Sequence, residues 1–255
     1  MRFRFSKDPT RDGYLRGILA LLVLLFVTRL PYLGSYTWIN EDLSLELLAR
    51  TSVQKHGLWY WFFHSYGPKV LRPFQLLGMY GDYLLFGTNL TGRYLHSLVV
   101  LFLGLALILA VVQRMVPGIL AFFVVAPLAL SRGLAEPLFW LSDRHDLYLL
   151  MFFGASLFCA EKFLLPFQDK GYTARWGVLL VLCWWGSFFS NEKGLVVPLL
   201  SLLLASAFRG SSWKMSLLAG VAAAVVSWVL YFALRLSAVG TFIGGYDDSI
   251  FPFSG

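Results

Sequence analysis

Charge is what this sequence has least of. Only 14% of its 255 residues are Asp, Glu, Lys or Arg, against 58% hydrophobic. The mean hydropathy of +0.68 is above what a soluble domain keeps in water, so most of the surface is expected to face lipid. Cysteine is scarce too: Cys159 and Cys183 both lie inside apolar runs, where a thiol acts as a small hydrophobe, and neither a disulfide nor a redox motif is expected. The four histidines, His56, His64, His96 and His145, show no i, i+4 ligand pairing, and carboxylates alone do not name an ion. Only Asp143-Arg144-His145-Asp146 offers a compact set for a divalent metal, and a salt-bridged loop explains it equally well. The net charge of +7 comes from basic residues spread between apolar runs rather than gathered in a patch, which argues against a nucleic-acid partner.

What is present is a series of seven apolar segments, at about 14–33, 94–112, 118–135, 146–165, 174–190, 194–208 and 214–236. Several have uninterrupted cores shorter than the roughly 20 residues a span needs, and flanking Arg, Trp and Tyr make up the difference by snorkelling and interfacial anchoring. The expected fold is all-α: a polytopic bundle of about seven spans, one transmembrane domain over residues 1–255, with a long non-cytoplasmic loop at 34–93. The first segment follows Arg2, Arg4, Lys7, Arg11 and Arg16 but no A-x-A-like site follows it, so it reads as an uncleaved anchor. The basic N-terminus and the basic loops at 161–175 and 209–214 place the N-terminus in the cytoplasm. The expected location is a bacterial inner membrane or the endoplasmic reticulum.

On that topology Glu41, Asp42, Glu46, Asp82, Glu136, Asp143, Asp146, Glu192, Asp247 and Asp248 all face the non-cytoplasmic side. Such convergence is compatible with one polar site, and equally with ordinary polar loops. In the long loop, Asn40 reads as an N-cap with Glu41 and Asp42 in the first helical turn. Leu43, Leu47 and Leu48 then form a stripe opposite Asp42, Glu46 and Arg50, predicting an amphipathic helix flat on the membrane. Glu41 and Asp42 either complement the helix dipole or do chemistry. The run Trp59-Tyr60-Trp61-Phe62-Phe63 suits an interfacial anchor or a sugar-stacking platform. Asn89-Leu90-Thr91 is a glycosylation sequon of a kind common by chance.

Four short motifs then occur in order over roughly residues 38–200: Asn40-Glu41-Asp42; Leu71-Arg72-Pro73-Phe74 followed by Leu85-Phe86-Gly87-Thr88-Asn89; Glu136 with Arg144 eight residues on and then Asp146; and Ser190-Asn191-Glu192-Lys193-Gly194. Together they resemble the GT-C-fold membrane glycosyltransferases, most of all the transmembrane and tetratricopeptide-repeat O-mannosyltransferases and their bacterial polyprenyl-phosphate-sugar relatives. The departures are Glu41 where that family has the first of two aspartates, Asp143 in place of a glycine, and Asn191 in place of a lysine. Histidines that often precede the glutamate are replaced by Ser131, Arg132 and Leu134, and no repeat array follows. Relatives generally have eleven or more spans, so this chain is expected to hold the N-terminal part of a GT-C-like fold.

The resemblance implies transfer of a sugar from a polyprenyl-phosphate donor to an acceptor hydroxyl, on a protein or glycan, at the non-cytoplasmic face. An inverting transfer needs a carboxylate to take the hydroxyl proton and cations to stabilise the departing phosphate. Asp42 or Glu41 would be the base, and Arg72, Arg144 and Lys193 the phosphate contacts, with Arg144 favoured for its bidentate grip. Arg72 and Lys193 could equally satisfy helix ends, and Glu136, Glu192 and Asp146 could pair with the cations to hold the loops. A transporter would place ionisable residues at mid-span, which these segments lack. The alternative to the enzyme is a non-catalytic GT-C-derived subunit bound to other membrane subunits.

Overall fold

A computed structural model describes residues 11–29, 31, 40–65, 70–116, 119–164, 170–206 and 214–241. The basic residues through Lys7, and Asp247 and Asp248, lie outside these, as do the side chains of Asn40, Glu41 and Glu136. Among the described residues the chain is all-α, with ten α-helices: α1 (Arg11–Arg29), α2 (Asn40–His56), α3 (Pro73–Phe86), α4 (Leu90–Val112), α5 (Ile119–Leu130), α6 (Arg132–Phe139), α7 (His145–Phe163), α8 (Lys170–Ser190), α9 (Val197–Ser206) and α10 (Lys214–Val239). Each of the seven apolar segments overlaps one of α1, α4, α5, α7, α8, α9 and α10. Two of these, α4 and α10, are long and apolar enough to cross a membrane, with mean hydropathies of 2.8 and 2.2. In their described parts α5 and α9 are shorter, α1 and α7 more charged, and α8 richer in Trp and Ser.

Side-chain contacts show which helix ends meet. The Tyr94 hydroxyl near the start of α4 donates to the Arg29 carbonyl at the end of α1 (2.7 Å), and Arg29 Nη2 donates to the Ala129 carbonyl near the end of α5 (2.8 Å). At the opposite end Gln113, after α4, reaches the Gly13 carbonyl in α1, and Arg114 pairs with Glu161 at the end of α7 (2.7 Å). The long helices therefore alternate in direction. Asp42, Glu46, Asp82, Asp146 and Glu192 gather at the first end, and Arg16, Arg114, Lys162, Arg175 and Lys214 at the second.

α7 is the central post, packing α4 on one side and α8 on the other. Glycines permit the close approach to α4: a Cβ on Gly154 would stand 2.7 Å from the Gly104 carbonyl oxygen, and one on Gly104 3.0 Å from the Met151 nitrogen. Small residues at a helix crossing let two backbones approach closely and gain dispersion contact. The outer faces follow the same logic. α10 turns Leu218, Val225, Val229 and Leu230 outward and buries Gly220, Ala224, Ser227, Tyr231 and Arg235.

The loop helix α2 corrects the sequence reading. Asp42 and Glu46 are buried with Leu45 and Ala49, while Leu43 and Leu47 are exposed. The acid face, expected to meet water, turns inward because the bundle supplies a backbone N–H and a guanidinium to the two acids; Leu43 and Leu47 stay outside and Leu48 packs against the core.

Candidate functional site

The four sequence motifs meet at one end of the bundle, where they build two polar clusters. Local chemistry places each piece. Pro73 opens α3 at a position where its missing N–H is not needed, with Arg72 ahead of it as the non-helical cap residue. Gly87 ends α3 at φ +56°, a left-handed conformation that suits glycine, and Asn89 then caps α4 by accepting from Gly92 N (3.3 Å). After α8, Asn191 caps the 3₁₀ turn Glu192–Val196 by accepting from Lys193 N (3.0 Å). Gly194 packs so closely that a Cβ would lie 2.2 Å from the Ser187 carbonyl oxygen.

The first cluster is closed. Arg144, ending the 3₁₀ turn Leu141–Arg144, donates from Nε to Ser97 Oγ (2.8 Å), from Nη1 to Asp82 Oδ2, and from Nη2 to the Arg93 carbonyl (3.0 Å). His96 Nδ1 meets the other Asp82 oxygen at 2.5 Å. Arg93 pairs with Glu46 and donates to the Gly87 carbonyl, tying α2, the α3–α4 turn and α4 together. Asp42 is fully buried, and its Oδ1 accepts from Ser142 N (2.8 Å). Gln75 donates to the Ser142 carbonyl, so the 141–144 turn is held from both sides.

Two of the expected site residues are enclosed here. Arg144, favoured for phosphate, directs its donors to protein groups with 2% of its side chain exposed. Asp42, expected as the base, is sealed from solvent and positions a loop.

The second cluster is half open. Arg72 donates from Nε to Glu192 Oε2 (2.8 Å) and from Nη1 to His145 Nε2 (3.3 Å), while Arg235 meets Glu192 Oε1 at 3.4 Å. His145 Nδ1 donates to the Ser142 carbonyl (2.9 Å), leaving Nε2 as the acceptor. Burial, with the Arg72 charge beside it, lowers the His145 pKa to about 4, so this imidazole is neutral at physiological pH. Asp146 accepts from Asn191 Nδ2 (2.5 Å) and pairs with Lys193 Nζ (3.1 Å). Lys193 is 70% and Asp146 26% exposed.

The structure thus brings Arg72, Asp146, Glu192 and Lys193 into one cluster and separates Asp42 and Arg144 from it. Glu41 lies on α2 and Glu136 on α6, their side chains outside the described set. Sequence reasoning passed over Arg93 and Arg235 as site builders, because a cation near the end of an apolar run reads as snorkelling; only their burial distinguishes them. Asn191, read as a departure from a motif, is a ligand of Asp146. Among the described residues no group of three or more His, Cys, Asp or Glu side chains is arranged to hold a metal ion. Comparison with protein-family models, with curated proteins and with solved structures finds no match for this chain.

Proposed function

We propose that this protein is a multi-pass membrane glycosyltransferase that takes a sugar from a polyprenyl-phosphate donor and passes it to an acceptor hydroxyl at the non-cytoplasmic face. The observation that carries the reading is the half-open cluster: an accessible carboxylate, an accessible ammonium and a partly exposed guanidinium within one chain of contacts, at the end of an outwardly apolar bundle. In this reading the seven apolar helices span the bilayer, and the basic end faces the cytoplasm. Arg72 stabilises the phosphate as it leaves, while Lys193 stands beside the base. Asp146 replaces Asp42 as the base, because a base must reach its proton within hydrogen-bond distance and Asp42 is covered. Neutral His145 keeps Arg72 aimed without competing for the phosphate.

The test is sugar transfer from a labelled polyprenyl-phosphate donor by the purified chain in lipid nanodiscs. Turnover that falls about 100-fold in Asp146→Asn supports the assignment. Turnover untouched by both Asp146→Asn and Lys193→Gln removes this cluster from the chemistry. A second reading, a non-catalytic subunit, draws on the closed cluster, where Asp42 and Arg144 serve only the fold. Donor binding without turnover under any acceptor supply favours it.

A further inference from the structure

Two apolar grooves flank α7, and the smaller of them reaches the half-open cluster. The larger, about 770 Å³, runs between α3 and α8 under the 60–62 turn and is walled by rings, among them Phe62, Phe74, Phe152, Trp185 and Phe189. Phe62 sets its edge against Phe74 and Phe189, with centroids 5.8 and 5.0 Å away. The smaller, about 330 Å³, lies between α7 and α9 beside the start of α6; Leu150, Phe153, Val197 and Leu200 line it, and Asp146 and Lys193 stand at its polar end. α7 is the partition, with Phe152 in the first groove and Phe153 in the second. Of the cluster's cations Lys193 lines the smaller groove, and Arg72 precedes Phe74 of the larger one by two residues.

One amphiphile needs one apolar lane. Two lanes parted by α7 suit two amphiphiles, and the lane lined by both Lys193 and Asp146 suits one whose headgroup carries an anion and a hydroxyl. The smaller lane follows α7 for two turns from Asp146 to Phe153, roughly 10 Å, and suits an acyl chain. A soluble protein acceptor would leave that lane without a purpose.

We infer that the smaller groove holds the acceptor of the transfer proposed above, on which this inference rests, and that the acceptor is an anionic glycerophospholipid with free headgroup hydroxyls. Lys193 meets its phosphate. Asp146, accessible beside Lys193 and held by Asn191, faces its hydroxyl; a choline headgroup would offer neither a net negative charge nor a hydroxyl. The acceptor oxygen forms a bond to the anomeric carbon as the bond from that carbon to the donor phosphate oxygen breaks. The electron pair leaves with polyprenyl phosphate, beside Arg72, and the hydroxyl proton goes to Asp146. No oxidant or further reactant is needed.

The experiment titrates the purified chain in detergent with phosphatidylglycerol, with phosphatidylcholine and separately with polyprenyl phosphate, counting bound lipid by native mass spectrometry. Leu200→Trp fills the smaller groove from a partly exposed position, and Lys193→Gln removes its cation. Each should weaken phosphatidylglycerol binding about tenfold or more while polyprenyl phosphate binding stays within about twofold, and wild type should bind phosphatidylcholine about tenfold more weakly than phosphatidylglycerol. Phosphatidylglycerol binding indifferent to both variants overturns the inference. So does loss of both lipids in Leu200→Trp at an unchanged melting temperature, which means one shared groove and leaves the donor reading standing. Groove-dependent phosphatidylglycerol binding with no polyprenyl phosphate binding upholds the phospholipid site and sinks the donor reading. Lys193→Gln, at a largely exposed position, decides the matter by itself if Leu200→Trp does not fold.

Discussion

The two clusters at the polar end of the bundle are built from the same residue types and share the 141–146 segment, yet they differ in what solvent can reach. Arg144 and Asp82 have 2% and 1% of their side chains exposed, and Arg93 none. Two residues along the chain, Asp146 is 26% exposed and its partner Lys193 70%. A buried ion pair broken on one side leaves a charge stranded in a poor solvent, so it specifies geometry. A half-exposed pair is worth about 1 kcal/mol or less, so a ligand can displace it. Arg144 and Asp146 therefore differ in what can reach them despite standing in one four-residue motif.

The sharpest way to break this contrast is to unpair the closed cluster. Arg144→Ala leaves Asp82 buried beside His96 and should lower unfolding stability by about 3 to 5 kcal/mol, read by thermal or denaturant unfolding in detergent. Adding Asp82→Leu should recover part of that loss, since no carboxylate is then stranded; a fully additive double variant would show that the two residues do not act as a pair.

In the open cluster the effect should move from stability to rate. Asp146→Asn is expected to slow sugar transfer about 100-fold with the melting temperature nearly unchanged, because its partners are a side-chain amide and an exposed ammonium. A large drop in melting temperature would place Asp146 with the closed cluster instead.

Asp42→Asn tests the residue that motif position alone would choose as base. The amide oxygen can still accept from Ser142 N, so a stability loss of about 1 kcal/mol and transfer within a few-fold of wild type are expected. Transfer falling about 100-fold with folding intact would return the base to Asp42.

The smallest effect is expected from His145. Its pKa of about 4 in the folded protein lies below the 6.5 of an ordinary imidazole, so between those values the unfolded chain binds the extra proton. This group's contribution is full above pH 6.5 and is lost as the pH falls towards 4. His145→Gln should flatten the melting temperature over that window; an equal pH slope in wild type and variant would show that His145 is not the titrating group.

Much of the frame was legible in the residues. The apolar runs located the long helices, and the charge pattern gathered most of the acids at one end. These signals are local: composition and short-range periodicity act within one segment. The division of labour among the charged residues was not legible. Asp42 and Glu46 looked like the water-facing side of a helix flat on the membrane, but the partners that bury them, Ser142 and Arg93, stand 100 and 47 residues away.

The sequence by itself determined that this chain is helical, that its outside is apolar, and that its acids collect at one end, because those properties follow from composition and short-range periodicity. Only the tertiary structure decided which of the collected charges are sealed and which remain open. Solvent exposure depends on what packs against a side chain, and the packing that covers Asp42 and Arg144 while leaving Asp146 and Lys193 accessible comes from helices far apart in the chain.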